Sequence, residues 1–328
     1  MSKLKAAITA VEGYVPDYIL TNDELSQMVD TNDEWIMTRI GIKERHILKG
    51  EKGPSDMAEI IVKRILEKKN ISPDEIELVI CCTVTPDMVF PATANVIAHK
   101  CGIKHGFGFD INAGCSGFLY GLTTATKYIE SGFVKKAIVI GAEKMSAIVN
   151  YQDRATCPIF GDGAAAVLLE ATEDEYGIID EVLYSDGEGV KHLHQVAGGS
   201  VKPASHETVD AREHFIYQEG QAVFKWAVVK MAEATEEILK RNNMTSQDIS
   251  YLLPHQANMR IISATGKRLE MPDEKVLVNI EKYGNTTSAT IPMLMFENQH
   301  KFKKGDNLIL TAFGAGFTWG AVLVKWAI

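Results

Sequence analysis

Residues 108–122, Gly108-Phe109-Asp110-Ile111-Asn112-Ala113-Gly114-Cys115-Ser116-Gly117-Phe118-Leu119-Tyr120-Gly121-Leu122, run from a short apolar segment through a glycine turn into a helix. Cys115 stands at the turn, where unpaired N–H groups and the positive end of the helix dipole stabilise a thiolate over a thiol. Gly114 and Gly117 lack a Cβ atom, so a substrate carbonyl can approach the backbone and accept its N–H groups. The pattern predicts a cysteine nucleophile, although free cysteines most often pack as small core residues.

The composition of the 328-residue chain is that of an ordinary globular protein. Its hydrophobic residues, 46% of the total, suffice for a substantial core, and a formal net charge of −9 argues against a general nucleic-acid surface. Five cysteines without zinc-ligand or disulfide-framework spacing predict a reducing, cytoplasmic location and no metal site. We expect no membrane insertion, because no apolar run approaches ~20 residues. The N-terminal ten residues also lack the h-region of a signal peptide.

Strand and helix patterns alternate along the chain, which predicts an α/β layered structure. Residues 78–84 form a near-continuous apolar run, typical of a strand buried on both faces of a mostly parallel sheet. Residues 136–140 predict another strand, and residues 186–213, rich in glycine, histidine and charge, predict a long irregular loop. Residues 160–169 and 313–324 are similar, so we expect two related halves that pack as one unit.

A histidine and an asparagine stand where α/β folds assemble their sites. His255 follows a predicted buried strand, and Asn285 lies in a glycine turn before a predicted helix. Alone, such a histidine is more often structural, and such an asparagine is more often turn chemistry. Together with Cys115 they offer a nucleophile, a polar base or hydrogen-bond donor, and an amide donor.

Four motifs follow one another along the chain. They are Asp110-Ile111-Asn112-Ala113-Gly114-Cys115-Ser116-Gly117-Phe118, Pro254-His255-Gln256-Ala257-Asn258, Tyr283-Gly284-Asn285-Thr286-Thr287-Ser288 and Gly314-Ala315-Gly316-Phe317-Thr318-Trp319-Gly320. In order and spacing they resemble the β-ketoacyl-acyl carrier protein synthase III family, over essentially the whole chain. The resemblance implies a homodimer with a thiolase-like, five-layered α-β-α-β-α fold. It also implies two fused similar halves, residues 1–172 with the nucleophilic cysteine and residues 173–328 with the histidine and asparagine.

The implied activity is a decarboxylative Claisen condensation that initiates fatty acid synthesis. An acyl-CoA primer would acylate Cys115, and malonyl-acyl carrier protein would lose CO₂ to give an enolate that attacks this thioester. His255 and Asn285 would donate hydrogen bonds to the malonyl thioester oxygen, while the N–H of Cys115 and one from residues 314–316 would form an oxyanion hole. The resemblance implies no cofactor or metal beyond these substrates.

The resemblance also assigns binding residues. The implied CoA contacts are Thr31, Trp35, Arg39, Arg154, Ala257 and Asn258. The implied primer pocket is formed by Met145, Phe160 and, from the partner subunit, Phe90. A basic patch for carrier-protein docking falls on Lys225, Arg260, Lys267 and Arg268, of which the last three share one helix face. Gln221 departs from the asparagine or arginine of many members, which puts its pantetheine contact in doubt.

Plainer interpretations exist for the binding sets. Trp35 beside Arg39 suits a stacked heterocycle and its phosphates, but it also suits a helix with one buried tryptophan and a solvated basic face. The docking patch likewise suits a solvated helix flank. The pocket residues do not distinguish acetyl from longer or branched primers, because methionine adapts its shape.

Other function classes fit less well. Thiolases carry a second cysteine near residues 314–316, which is absent, and elongating synthases have a second histidine where Asn285 stands. The main alternative is a related acyltransferase or condensing enzyme of polyketide- or quinolone-type secondary metabolism, which would keep the same three residues. A non-enzymatic binding module for acyl-CoA or carrier protein would not need them.

Overall fold

The computed structural model describes residues 4–328. Residues 1–3, part of the segment considered for a signal peptide and of the predicted half 1–172, lie outside the described residues. The strands are β1 (Lys5–Tyr14), β2 (Tyr18–Thr21), β3 (Glu44–Ile47), β4 (Leu78–Cys82), β5 (Phe107–Ile111), β6 (Lys136–Glu143), β7 (Gly163–Thr172), β8 (Gly177–Ser185), β9 (Leu193–Gln195), β10 (Ile216–Gln218), β11 (Tyr251–Pro254), β12 (Asn307–Gly314) and β13 (Thr318–Lys325).

The helices are α1 (Asn22–Leu25), α2 (Asp33–Arg39), α3 (Pro54–Lys69), α4 (Thr93–Lys100), α5 (Gly117–Glu130), α6 (His206–Asp210), α7 (Gly220–Arg241), α8 (Met259–Arg268), α9 (Ile280–Tyr283) and α10 (Thr290–Asn298). Among residues 4–328, no helix combines the length and the hydropathy that a bilayer crossing requires.

Two mixed sheets form the centre of the molecule. The first has the order β1-β7-β6-β4-β5, with β4 parallel to β5 and β6 and with β7 antiparallel to β6 and β1. The second has the order β11-β12-β13-β8, and only β11 and β12 are parallel. The prediction of a mostly parallel sheet is therefore wrong. In the second sheet, for example, residues 315–317 are too short for the crossover that would make β12 and β13 parallel.

The two sheets correspond strand by strand. The order β8-β13-β12-β11 matches β1-β7-β6-β4, and a single parallel bridge between Leu252 and Val276 stands where β5 would be. The similar segments 160–169 and 313–324 end in β7 and β13, which hold equivalent positions.

Helices cover both sheets in layers. α3 and α4 pack on the outer face of the first sheet through residues such as Ile61 and Ile97, while α7 and α8 pack on the outer face of the second through Met231 and Ile261. α5 and α10 lie between the sheets in a shared core. The result is the five-layered α-β-α-β-α arrangement predicted from the sequence.

A small unit formed by β2, β3, α1 and α2, here called the cap, covers the layers beside residues 145–160. The β2–β3 pair, α1 and α2 pack against Met145 and Phe160. Arg45 of β3 is fully buried, and its guanidinium donates to the carbonyl oxygens of Leu20 and Pro158 and to Oδ1 of Asn22. Arg45 thus ties the cap to the segment that leads into Phe160.

The segment predicted as an irregular loop, residues 186–213, is partly ordered into regular structure. It contains a 3-10 turn at Gly187–Lys191, β9 and α6, and β9 pairs with β10 beyond the segment. The prediction was wrong because β9 spans only three residues and its partner is distant in sequence, so no local periodicity marks it.

Candidate active site

Cys115 lies in the 3-10 turn Gly114–Ser116, between the end of β5 and the start of α5. This turn packs directly on the backbone that follows β12. A Cβ atom on Gly314 would lie 2.4 Å from the amide nitrogen of Cys115, and one on Gly114 would lie 2.6 Å from the amide nitrogen of Ala315. Both glycines therefore allow two backbone segments to meet. For Gly114 the sequence had suggested only that a substrate could approach the backbone.

Burial governs the acidity of the Cys115 thiol. It raises the pKa of the Cys115 thiol to about 12, and Glu143, when ionised, acts in the same direction. A hydrogen bond from Asn285 and the N–H of Cys115 itself oppose this rise. The resting form is the thiol, because burial outweighs the thiolate stabilisation expected from the turn.

Asn285 lies on the turn after α9 and is 4% exposed. Its Oδ1 accepts the N–H of Thr287 at 2.8 Å, which leaves the Nδ2 group to donate towards the Cys115 thiol. Its backbone N–H donates to Ile159 O at 2.9 Å, and its carbonyl accepts Gly161 N–H at 3.1 Å. The amide donor is therefore fixed at both its side chain and its backbone.

His255 follows β11 and is 1% exposed. Burial lowers the pKa of its imidazole to about 3, so the ring is neutral. Nδ1 lies 2.7 Å from Oγ1 of Thr290, whereas Nε2 has no hydrogen-bond partner among the described residues. The Thr290 hydroxyl lies 3.0 Å from Thr287 O and 2.7 Å from His255 Nδ1, and it has one proton to give. Because Thr287 O also accepts the Thr290 N–H, we assign the hydroxyl proton to the shorter contact with Nδ1, which leaves the imidazole proton on Nε2.

One cavity of about 1140 Å³ joins these three residues. Cys115, His255 and Asn285 all line it, and it extends to Trp35 and Arg39 in α2. A cavity of this size fits an extended ligand that enters between the cap and α8 and ends at the thiol.

Most residues predicted to bind CoA lie at this opening. Trp35, Arg39, Ala257 and Asn258 line the cavity. Arg154 does not line it, but its guanidinium lies 4.9 Å from the centroid of the Trp35 ring. Thr31 is not a lining residue, and its buried hydroxyl has no partner among residues 4–328. Asn258 donates to Arg39 O at 3.3 Å and thereby links α8 to the cap.

The predicted primer pocket is only partly present within this chain. Met145 and Phe160 line the cavity and are 1% and 3% exposed. Phe90 is 83% exposed and does not line it. The structure of one chain therefore leaves Phe90 on the surface, as a contribution from a partner subunit would require.

The predicted docking residues are exposed on α7 and α8. Lys225, Arg260, Lys267 and Arg268 are all exposed, and Arg260 also lines the cavity opening. Arg268 lies within 3.9 Å of Glu233 and 3.8 Å of Glu236, so part of its charge is compensated. Gln221, whose contact the sequence left in doubt, lines the cavity.

Sequence reasoning missed two polar residues behind the site. Thr290 contacts His255, and Glu143 bonds to the turn that follows Asn285. The sequence predicted that the strand now seen as β6 ends at residue 140, whereas it continues to Glu143. The signal in the sequence was Glu143 itself, a charged residue that directly follows an apolar run.

Comparisons with known proteins agree with this architecture. A family model described as 3-oxoacyl-[acyl-carrier-protein] synthase III matches residues 109–187, and the model of its C-terminal part matches residues 239–326. A beta-ketoacyl-[acyl-carrier-protein] synthase III of Bacteroides thetaiotaomicron is 56% identical over 327 residues, which cover 99% of this chain and 98% of that protein. One from Porphyromonas gingivalis is 55% identical over 328 residues, covering 100% and 98%.

A solved structure extends the comparison. The crystal structure of 3-oxoacyl-[acyl-carrier-protein] synthase III from Aquifex aeolicus superimposes with a TM-score of 0.90 at 42% identity, covering 98% of this chain and 100% of that one. The fold is thus the thiolase-like fold predicted from the sequence, and the protein is an acyltransferase of the condensing class. The chain belongs to the β-ketoacyl-acyl carrier protein synthase III family, the condensing enzymes that initiate fatty acid synthesis. The alternative in secondary metabolism is not favoured.

Proposed function

We propose that this chain condenses an acyl-CoA primer with malonyl-acyl carrier protein through an acyl-enzyme on Cys115. The observation that carries the proposal is the convergence of Cys115, His255 and Asn285 on one cavity that opens at Trp35 and Arg39. Arginine suits the CoA phosphates and tryptophan suits the adenine face. The remaining proposed CoA contacts are Thr31, Arg154, Ala257 and Asn258.

In the first half-reaction, Cys115 Sγ attacks the primer thioester carbonyl. The bond between that carbonyl carbon and the CoA sulfur breaks, and the thiol proton leaves with CoA. Cys115 is the second residue of its 3-10 turn, and its backbone N–H has no acceptor within that turn. This N–H is therefore available to bind the oxyanion. A second N–H from residues 314–316, which touch this turn, completes the oxyanion hole.

In the second half-reaction, the malonyl group loses CO₂ and its electron pair forms an enolate. His255 Nε2–H and Asn285 Nδ2–H donate to the thioester oxygen on which this charge develops. The enolate carbon then attacks the Cys115 thioester, and the cysteine leaves as a thiolate that takes up one proton from water. A neutral imidazole and an amide suffice as donors, so the proposed chemistry uses no cofactor and no metal.

The proposed working unit is a homodimer. β5 is the edge strand of the first sheet, and aromatic residues along it and beside it are exposed, with Phe107 at 40% and Phe133 at 68%. An open strand edge with apolar neighbours favours pairing with a second copy. Such pairing would bring Phe90 to the partner's pocket, beside its Met145 and Phe160.

The carrier protein would dock on the exposed basic residues of α7 and α8. Arg260 lines the cavity, and Lys225, Lys267 and Arg268 are exposed on the same two helices. Carrier proteins are acidic partners for which this charge is complementary. We further place the halves at residues 1–172 and 173–328. We expect a cytoplasmic enzyme, in keeping with its five free cysteines.

Intact-mass measurement after incubation with a panel of acyl-CoAs tests this function. We expect one acyl adduct that peptide mapping places on Cys115 and that malonyl-acyl carrier protein clears with formation of a product two carbons longer. The matched control is Cys157→Ala, which removes another buried thiol and should leave the adduct in place. An adduct that is never extended would favour an acyltransferase, and the absence of any adduct would favour a binding module.

A further inference from the structure

Glu143 is a fully buried carboxyl group at the end of β6, directly behind the site. Its Oε2 accepts the hydroxyl protons of Thr83 and Thr85, at 3.0 and 2.7 Å, and the N–H of Val84 at 3.1 Å. These donors follow β4. On the other side, Oε1 lies 2.8 Å from Oγ of Ser288, in the turn that follows Asn285. Glu143 therefore joins the end of β4 to the Asn285 turn.

The hydrogen-bond contacts of the Ser288 hydroxyl indicate that Glu143 carries a proton. The Ser288 hydroxyl has one hydrogen, yet its oxygen lies 2.6 Å from Cys82 O and 2.8 Å from Glu143 Oε1. Were the carboxyl ionised, both neighbours would be acceptors and one contact would hold no hydrogen. A neutral carboxylic acid removes the conflict, since its O–H donates to Ser288, whose hydroxyl then donates to Cys82 O.

Burial opposes the ionisation of Glu143, whereas hydrogen bonds from Thr85, Ser288, Val84 and Thr83 favour it, and burial is the larger effect. The titratable groups that face it are the thiols of Cys81 and Cys82 on β4 and of Cys115 on its turn. Asp110 of β5 lies beyond these thiols and adds negative charge. The neighbouring Lys144 directs its ammonium away, to the carbonyl oxygens of Gly50 and Lys52. Burial raises the pKa of Glu143 to about 7, which is consistent with the proton count.

The turn that Glu143 holds contacts both proposed enolate donors. Thr287 N–H fixes the Asn285 side chain at 2.8 Å, and Thr290 Oγ1 contacts His255 at 2.7 Å. Ser288 lies between Thr287 and Thr290 and is 1% exposed. A displacement of Ser288 would therefore disturb both donors at once.

We propose that Glu143, as a neutral carboxylic acid, is a positioning residue for the condensation step, acting through Ser288 on Asn285 and His255. The proposal rests on the donor roles given to these two residues above. Ionisation of Glu143 would break one Ser288 contact, loosen the turn and place a negative charge near the reacting carbonyls. Acylation of Cys115 uses only the donation from Asn285 to the thiol, whereas condensation uses both donors on the enolate oxygen, so acylation should depend on Glu143 less.

The test compares pH profiles of wild type and Glu143→Gln between pH 6 and 9, measured separately for Cys115 acylation and for condensation. Cys115 and His255 do not titrate in this window, because their pKa values are about 12 and about 3. For wild type we expect the kcat of condensation to fall about tenfold per pH unit above a midpoint near 7. Glutamine keeps a donor for Ser288, so Glu143→Gln should retain condensation at pH 6.5 and lose this alkaline fall.

Two further variants keep the test decisive. Glu143→Ala should lower condensation at pH 6.5 at least tenfold while acylation changes less than threefold, and Ser288→Ala should do the same. Acylation of each variant by acyl-CoA reports whether the protein is folded and whether the proposed nucleophile works. The proposal is overturned if Glu143→Gln keeps the wild-type alkaline fall. It is also overturned if folded, acylated Glu143→Gln cannot condense at pH 6.5. Failure of acylation in wild type would instead contradict the proposed function.

Discussion

Asn285 and Phe160 form a parallel backbone bridge, with Asn285 N–H donating to Ile159 O at 2.9 Å and Gly161 N–H donating to Asn285 O at 3.1 Å. The bridge connects the wall of the proposed primer pocket to the amide donor proposed for condensation. A substitution at Phe160 that shifts the backbone should therefore also shift the side-chain amide of Asn285. The following predictions use this and related contacts.

Phe160→Leu should widen the primer pocket. Phe160 is 3% exposed and lines the cavity, so the smaller side chain leaves room for additional methylene groups. We expect the ratio of kcat/KM for octanoyl-CoA over acetyl-CoA to rise about tenfold. Val190 also lines the cavity but is exposed, so Val190→Ala is the control and should change this ratio less than about twofold from wild type. An equal rise in Val190→Ala would contradict the assignment of Phe160 to the primer pocket.

Cys115→Ala should abolish primer transfer but retain decarboxylation of malonyl-acyl carrier protein. The variant lacks the nucleophile, whereas His255 and Asn285 still supply their donors. Release of labelled CO₂ and the absence of an acyl adduct are the measurements. Retained primer transfer would show that another group carries the acyl chain.

Arg260→Glu should weaken the use of carrier protein more than the reaction with acyl-CoA. Reversing one exposed charge on α8 should raise the KM for malonyl-acyl carrier protein about tenfold at low salt, and high salt should narrow the difference. Arg260 also lines the cavity opening, so a smaller effect on acyl-CoA is expected. Lys303→Glu reverses an exposed charge outside α7 and α8 and is the matched control. Equal losses in both half-reactions of Arg260→Glu would indicate misfolding.

His255 should make stability depend on pH in the acidic range. Its pKa falls from an ordinary 6.5 to about 3 on folding, so below pH 6.5 the unfolded chain binds a proton that the folded chain does not. The stabilising contribution is complete above pH 6.5 and should diminish by about 2 kcal/mol between pH 7 and 5. His255→Gln should lack this part of the decline in denaturant unfolding. An identical pH dependence in the variant would show that the imidazole is not held neutral.

Phe133→Asp should separate the proposed dimer. Phe133 is 68% exposed and packs edge-on against Phe107 of β5, with ring centroids 5.9 Å apart. A charge buried in an interface without a partner disfavours association. Sedimentation velocity should give the mass of a monomer. An activity assay should show a lower primer turnover, because Phe90 would no longer reach a partner's pocket. A variant that remains dimeric would place the interface elsewhere.

The sequence was informative where chemistry depends on short contiguous motifs. The residues around Cys115, His255 and Asn285 indicated the candidate site, because each of the three lies at a strand end or turn that the local sequence pattern predicts. The sequence did not reveal the hydrogen bonds of Glu143, since its partners come from residues 83–85 and from Ser288. Such contacts depend on packing between segments far apart in the chain, which periodicity does not encode. The β9–β10 pair was missed for the same reason.

The contact between the Cys115 turn and the segment after β12 bears on when this protein becomes reactive during its synthesis. Ser116 Oγ donates to Thr318 O, 202 residues further along the chain, and Thr318 Oγ1 donates to Ala113 O. During synthesis Cys115 therefore emerges about 200 residues before the backbone that would complete the proposed oxyanion hole. We therefore expect acyl transfer to begin only when the fold is complete, and an unfinished chain to carry a thiol that does not consume acyl-CoA.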